Sequence, residues 1–154
     1  MRNLRVLFLE DFAFENNQSL SSFQNLVWLK RYLKIEIQPI WVFQKNMLYE
    51  NILGNRGWLH DGDIIFLSAH GSSGRLYFGN TSVDIDDLAE SLSGIGKGLR
   101  LFISSCGFFD VDVNRFDFLQ QETKFQEVAG YVDSVTMNRD FGFEREFLLD
   151  WLSE

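Results

Sequence analysis

The chain has little cysteine, proline and histidine, with one cysteine, one proline and two histidines among its 154 residues. A single cysteine, Cys106, excludes an internal disulfide, so the fold must depend on its core. No apolar run is long enough to span a bilayer. The apolar stretch near the N-terminus is too short for a secretion signal, because it runs into Glu10 and Asp11. We therefore expect a protein of the reducing cytoplasm, where a thiol survives.

Basic residues are scarce as well, since 14 Lys and Arg stand against 22 Asp and Glu, for a formal net charge of −8. No basic segment interrupts this acidity, so nucleic-acid binding through phosphate neutralisation is not expected. Two histidines and one cysteine, with no close carboxylate pattern around them, do not make a convincing metal-ligand set, and we predict no cofactor. The length is that of one domain, spanning residues 1–154.

Apolar runs alternate with helical patterns along the whole chain. Several of these runs are continuous, which is typical of strands buried on both faces of a parallel sheet. Their alternation with helices predicts right-handed crossovers and a three-layer α/β/α sandwich with a mostly parallel sheet. The five predicted strands lie at residues 5–9, 35–42, 64–69, 99–104 and 127–132.

Local signals predict the ends of several elements. Capping serines within residues 19–22 precede the first helix, and Pro39, which has no N–H for a ladder, indicates an edge strand or a bulge. Gly54 is expected to end the second helix in the left-handed conformation. A hairpin or flap is expected at residues 71–80. Later, a polar loop at 108–117, a weak helix at 118–125 and a last helix from Asp140 or Phe141 to Leu152 are expected, with Phe143 on the apolar face of that helix.

Reactive side chains stand at the ends of two predicted strands. The third predicted strand ends in Ser-Ala-His-Gly at residues 68–71, and the fourth ends in Ser-Ser-Cys-Gly at residues 104–107. The carboxyl ends of parallel strands open onto one edge of the sheet, where ligands of open α/β sheets bind. Because one helical crossover separates the two strands, we expect His70 and Cys106 to meet at that edge.

A histidine beside a cysteine can take the thiol proton and produce a thiolate nucleophile at neutral pH. The backbone N–H groups of Gly71 and Cys106 would then form an oxyanion hole. Taken singly, a histidine at a strand end is more often structural, and a cysteine commonly packs as a small apolar residue. Their joint setting favours catalysis, whereas His60, in the turn before the third strand, is expected at the surface.

The chain resembles the caspase-like cysteine peptidases, most closely the compact CHAT-type and metacaspase-like members of bacteria. The resemblance lies in the order of its elements: a strand, His-Gly, a flap and helix, a second strand, and two small residues followed by Cys-Gly. Residues 128–132 and 141–148 are similar to the fifth strand and final helix of CHAT-type domains. The resemblance implies a caspase-like fold in which His70 and Cys106 are the catalytic dyad. It also implies a cysteine endopeptidase that cleaves proteins or peptides through a thioester acyl-enzyme.

The residues around the candidate nucleophile differ from those of the families that the chain resembles. The caspase signature Gln-Ala-Cys-x-Gly is absent, so cleavage after aspartate is not implied. Metacaspases commonly carry an acid two residues before the cysteine, where this chain has Ser104. Glu10, Asp11 and Asp110, together with Ser104, are nevertheless candidates for a substrate pocket, which would suit a Lys or Arg side chain. The alternative is that these acids are plain solvated loop residues.

Other functions and forms of control stay open. The main alternative function is a catalytically idle caspase-fold interaction or signalling module. A phosphoacceptor receiver domain is disfavoured, because it needs an aspartate where Ser68-Ala69-His70 ends the third strand. We expect an activating protein partner or loop processing to control an enzyme of this size. Arg115 or Lys124 would be the cut site if the chain processes itself.

Overall fold

The computed structural model describes residues 3–14, 21–131 and 137–153, with side chains of the last segment described from residue 144 onward. In chain order the strands are β1 (Leu4–Asp11), β2 (Ile35–Val42), β3 (Ile64–Ser68), β4 (His70–Ser72), β5 (Arg75–Phe78), β6 (Thr81–Asp84), β7 (Arg100–Ser104) and β8 (Glu127–Gly130). Within the described residues, β2-β1-β3-β7-β8 form a five-stranded parallel sheet and β4-β5-β6 form a three-stranded antiparallel one.

Five helices connect or follow these strands in the described part of the chain. They are α1 (Phe23–Leu29), α2 (Lys45–Asn55), α3 (Ile85–Ser91), α4 (Val113–Thr123) and α5 (Met137–Leu152). Asp84 caps α3 by accepting a hydrogen bond from the Asp87 N–H, and Asp112 caps α4 by accepting one from the Asn114 N–H. Such caps satisfy backbone donors that the first turn of a helix leaves without a partner. No helix among the described residues has both the length and the apolar character that a bilayer crossing requires.

The parallel sheet has a core on each face, because successive side chains of a strand point to opposite sides. On one face, Leu7, Leu9 and Ile65 pack with α2, α3 and α4, and on the other, Val6, Phe8 and Phe66 pack with α1 and α5. The predicted α/β/α sandwich with a mostly parallel sheet is therefore confirmed. Pro39 lies in β2, an edge strand of the sheet, which is where a residue without an N–H is tolerated.

Some predicted boundaries are wrong. Helix α2 runs through Gly54 to Asn55, and Gly54 has no positive φ angle. A 3-10 turn continues the chain from α2, and there the Arg56 guanidinium donates to the carbonyls of Ile95 and Lys97. The helix therefore ends beyond Gly54, at a turn that the Arg56 side chain connects to the segment around Ile95 and Lys97.

Other elements are longer than predicted. Helix α4 begins at Val113 instead of 118, because the Asp112 cap starts it within the expected loop, and α5 begins at Met137. The predicted flap gains a third strand, since Thr81–Asp84 pairs with β5. The capping residues 19–20, Val132 and the side chain of Phe143 lie outside the described residues.

Helix α5 is held close to the sheet by a buried cation. Arg100 of β7 donates to the Trp151 carbonyl at 2.8 Å, and its guanidinium lies over the Trp151 ring at 5.0 Å from the ring centroid. The Trp151 indole N–H in turn donates to Glu127 of β8 at 2.6 Å. These bonds fix the C-terminal end of α5 against the two strands.

Candidate active site

The hairpin that begins with His70 lies directly against the turn that carries Cys106. The Ala69 N–H donates to the Ser104 carbonyl at 3.2 Å, and the Gly74 N–H donates to the Phe108 carbonyl at 2.9 Å. Between these two bonds, Gly71 packs against Ser105. The residues that follow His70 and precede Cys106 are thus in contact at the carboxyl edge of the parallel sheet.

The two candidate catalytic side chains are both accessible. His70 is exposed, and its ring meets the Phe14 ring edge to face, with the centroids 4.8 Å apart. Cys106 is partly buried in the turn after β7, and Gly107 next to it has a positive φ of 60°. Glycine takes that conformation at little cost, so the chain can reverse directly after the thiol. Both residues are therefore at least partly exposed to solvent.

Gly71 allows the close approach of the hairpin to the turn. A Cβ atom at this position would lie 1.8 Å from Ser105 Oγ and 2.8 Å from the Arg75 carbonyl oxygen. Both distances are far below a van der Waals contact, so no other residue fits without a shift of the backbone. The Ser105 hydroxyl itself is buried and has no hydrogen-bond partner among the described residues.

A row of polar side chains lies below the strand exits, on the face that α1 and α5 cover. Glu10, Ser68 and Ser104 are neighbours in the register of β1, β3 and β7, and all three are buried. Glu10 accepts hydrogen bonds from Ser21 Oγ at 2.7 Å, the Ser22 N–H at 3.0 Å and Ser68 Oγ at 2.9 Å. These bonds join the beginning of α1 to the ends of β1 and β3.

Glu144 of α5 is a second buried carboxylate at the same row. It is 1% exposed and accepts hydrogen bonds from Asn25 Nδ2 at 3.1 Å, Ser104 Oγ at 2.9 Å and the Tyr131 hydroxyl at 2.7 Å. Arg145 donates to Asn25 Oδ1 at 2.8 Å, which turns the Asn25 amide N–H toward Glu144. Sequence reasoning missed Glu144, although it lies one helical turn before Leu148 on an otherwise apolar helix face.

A chain of hydroxyl groups connects the two carboxylates. Ser104 has one hydroxyl proton, which it donates to Glu144, so in its 2.9 Å contact with Ser22 Oγ it must be the acceptor. Ser22 also donates its backbone N–H to Glu10. The ends of β1, β3 and β7 are therefore bonded to α1 and α5 through one continuous network.

Burial raises the pKa of Glu10 above its ordinary value of 4.5, against the opposing effect of its hydrogen bonds from Ser21, Ser68 and Ser22. The folded protein then binds this proton more tightly than the unfolded chain does. Ionisation of Glu10 therefore lowers the free energy of unfolding as the pH rises from about 4.5 to the raised pKa.

We expect Glu10→Gln to become progressively more stable relative to the wild type as the pH rises through that window, because glutamine is never charged. Urea unfolding of both proteins at pH 4 and pH 8 measures the difference. Glu50→Gln, an exposed position on α2, serves as the matched control and should show no such trend. A stability difference for Glu10→Gln that is the same at both pH values would contradict the prediction.

The four predicted pocket residues do not share one pocket. Glu10 and Ser104 lie in the buried row, but Asp11 follows Glu10 along β1 and therefore faces the opposite side, where it accepts a 3.3 Å hydrogen bond from the Gly79 N–H. Asp110 is exposed and lies 3.5 Å from the Ser73 hydroxyl. The alternation of side chains along a strand separates acids that are adjacent in sequence.

The remaining candidates have ordinary surroundings. His60 is exposed, as predicted. Arg115 lies within α4 and pairs with Asp86 at 3.6 Å, and Lys124 ends that helix with a left-handed φ of 68°. The expected processing loop is thus largely helical. Among the described residues, no three His, Cys, Asp or Glu side chains are grouped as metal ligands.

Comparison with known proteins finds similarity among solved structures. No protein-family model matches the chain, and no curated protein matches it. Among solved structures, the chain is similar to caspase-1 from Spodoptera frugiperda, with a TM-score of 0.48 and 19% sequence identity. The similarity covers 69% of this chain and 48% of the caspase chain, so this chain spans about half the length of that relative.

Proposed function

We propose that the protein is a cysteine endopeptidase of the caspase-like kind, related to the CHAT-type and metacaspase-like peptidases of bacteria, with a dyad of His70 and Cys106. The observation that carries the proposal is the contact of Gly71 with Ser105, which brings the elements bearing the imidazole and the thiol together. The accessibility of both side chains is the second support.

In this mechanism His70 takes the proton of the Cys106 thiol, and the thiolate forms a bond to the carbonyl carbon of a peptide. The backbone N–H groups of Gly71 and Cys106 stabilise the negative charge on the carbonyl oxygen. The C–N bond then breaks as His70 returns the proton to the leaving amine, and a thioester remains. Water, deprotonated by His70, hydrolyses the thioester and restores the thiol.

We also propose that residues 1–154 form one catalytic domain that works in the cytoplasm and needs no cofactor. Its substrate is a protein or peptide, and a protein partner or processing of the chain controls it. The substrate pocket lies at the carboxyl edge of the sheet, near the buried row that contains Glu10 and Ser104.

A peptide electrophile that alkylates activated thiols tests the proposal. We expect labelling at Cys106 in the wild type. In His70→Ala the labelling rate should fall by at least about 100-fold, because base assistance contributes at least that factor. His60→Ala is the matched histidine control and should label normally. Labelling that does not depend on His70, or no labelling of the folded protein by any such electrophile, would favour the idle interaction module.

A further inference from the structure

The His70 side chain lies on the outer face of the small antiparallel sheet, where the strand register defines its neighbours. Leu76 and Val83 of this sheet are fully buried, whereas Tyr77 points outward between them and stands directly opposite His70. The Cβ atoms of such an opposed pair lie about 4.5–5.5 Å apart. The Tyr77 hydroxyl is hydrogen-bonded to the Ser72 hydroxyl, with the two oxygens 3.1 Å apart. The hairpin therefore gives His70 one neighbour that is itself held in place.

A second neighbour comes from the 3-10 turn that follows β1. Phe14, the last residue of this turn, is 0% exposed, and its ring lies 4.8 Å from the His70 ring, between centroids, at an interplanar angle of 83°. In the described part of the chain, the His70 side chain contacts this ring and forms no ion pair with a carboxylate. A catalytic base is commonly oriented by a third group. The group in that position beside His70 is an aromatic ring.

Contacts that do not involve His70 hold the turn after β1 in place. Asp11, the last residue of β1, accepts a hydrogen bond from the Gly79 N–H at 3.3 Å. Phe12 stacks on Phe43, with the ring centroids 4.7 Å apart. Gly79 lies so close to Phe43 that a Cβ atom on Gly79 would be 2.2 Å from the Phe43 carbonyl oxygen. The turn is thus joined to the end of β2 and to the β5–β6 connection, and the position of Phe14 is set by both.

An edge-to-face contact controls the angle of a ring as well as its distance. Aromatic rings have a negative face and a positive edge, so a perpendicular pair is favoured over many other arrangements. An aliphatic side chain of similar size would fill the space without this directional preference. Proton transfer needs the base within hydrogen-bond reach of its partner, and a misplacement near 1 Å lowers the rate by about 100-fold. The orientation of an imidazole is therefore worth a measurable part of the rate.

We propose that Phe14 is a positioning residue of the dyad, whose ring holds the His70 imidazole in the orientation from which it takes the Cys106 proton. This inference rests on the proposed peptidase function. Phe14 acts through the imidazole, so its removal should lower the rate by less than the removal of the imidazole does. Substrate binding should change little, because the effect falls on the chemical step.

Nuclear magnetic resonance on the wild type tests the contact itself. The chain has two histidines, so selective labelling of histidine gives two sets of ring signals, and His60 serves as the internal reference. We expect nuclear Overhauser effects between the ring protons of His70 and Phe14. We also expect a ring-current shift of the His70 signals that disappears in Phe14→Leu, while the His60 signals stay unchanged. A His70 ring without Overhauser effects to Phe14 would overturn the proposal.

Steady-state kinetics of Phe14→Leu test the role. We expect kcat for peptide hydrolysis to fall by about 10- to 100-fold with KM changed by less than about twofold, as for a group that matters only in the chemical step. Phe8→Leu, the same change at another fully buried phenylalanine, is the matched control. It should lower the stability comparably and leave kcat unchanged. A normal kcat in folded Phe14→Leu contradicts the proposal, and so does an equal loss in Phe8→Leu.

A double variant shows whether Phe14 acts through His70. In the His70→Ala background, Phe14→Leu should change the residual hydrolysis rate by less than about twofold, because the imidazole that it positions is already gone. A loss as large as in the wild-type background would mean that Phe14 supports the whole site, and this would overturn the positioning role. If Phe14→Leu does not fold, Phe14→Met replaces it in both measurements, since methionine adapts to irregular spaces.

The labelling rate of Cys106 by the peptide electrophile separates the failure of this proposal from the failure of the peptidase function. A rate that falls in His70→Ala and also, less strongly, in Phe14→Leu supports both proposals. A rate that depends on His70 and is unchanged in Phe14→Leu overturns the positioning role and leaves the peptidase function intact. A rate that does not depend on His70 overturns the peptidase function and the role of Phe14 with it.

Discussion

Replacing Cys106 by alanine is expected to lower kcat/KM for peptide hydrolysis by at least about 10,000-fold, because removal of the nucleophile leaves only the binding and oxyanion contributions. Backbone hydrogen bonds hold the turn after β7, since the Phe109 N–H donates to the Tyr131 carbonyl at 3.1 Å and the Asp110 N–H donates to the Gly107 carbonyl at 3.0 Å. The variant should therefore fold as the wild type does. Hydrolysis of the best fluorogenic peptide, measured beside thermal unfolding of both proteins, gives the result.

His70 and Cys106 should act as one unit. His70→Ala is expected to lose about 100- to 10,000-fold in rate, and the double variant should be no slower than Cys106→Ala alone. The residual hydrolysis rate of His70→Ala should rise with pH, because hydroxide then deprotonates the thiol without help from the imidazole. Losses that multiply in the double variant, or a pH-independent residual rate, would mean that the two groups do not cooperate. Either outcome would contradict the dyad.

Gly71→Ala is expected to reduce hydrolysis by about 100-fold, since a misplacement near 1 Å has an effect on that scale. The added Cβ would lie 1.8 Å from Ser105 Oγ, so the hairpin bearing His70 must move away from the turn bearing Cys106. Overpacking of this kind should also lower the free energy of unfolding by about 1–3 kcal/mol. Peptide hydrolysis and urea unfolding measure the two effects.

A second substitution, at Ser105, tests whether the loss of activity in Gly71→Ala comes from the steric clash or from a general loss of stability. Ser105→Ala removes a buried hydroxyl that has no hydrogen-bond partner among the described residues, so alone it should leave the stability equal or slightly higher. Combined with Gly71→Ala it should restore part of the activity, while the Arg75 carbonyl at 2.8 Å prevents full recovery. Gly54→Ala, where an added Cβ meets nothing within 4 Å, is the matched control and should leave the rate unchanged. No recovery in the double variant would contradict the steric explanation.

The strands of the parallel sheet could be predicted from the sequence, because strands buried on both faces have continuous apolar sequences. The second strand has the predicted bounds of 35–42, and Pro39 correctly indicates the edge of the sheet. Helix ends were less predictable, since distant partners determine them. The Arg56 side chain donates hydrogen bonds to carbonyls about forty residues away. No sequence pattern near Gly54 predicts that the helix continues past that residue.

The residues of the candidate site also fall into those that the sequence predicted and those that it did not. His70 and Cys106 could be selected from their strand exits, and their catalytic roles stay a prediction. The predicted acidic pocket failed to allow for the alternation of β1, which places Glu10 and Asp11 on opposite faces. Glu144 was overlooked because a single acid in an amphipathic helix has no meaning until the helix is docked.

The sequence by itself determined the α/β order of the chain, the parallel sheet and the two strand exits with their histidine and thiol, because these follow from local hydrophobic pattern and chain order. Only the tertiary structure decided that Gly71 packs against Ser105 and that Glu144 meets Ser104 below Cys106. Such contacts depend on how α5 and the β4 hairpin dock on the sheet. Docking is set by packing and by long-range hydrogen bonds such as those of Arg100, which no short segment of sequence encodes.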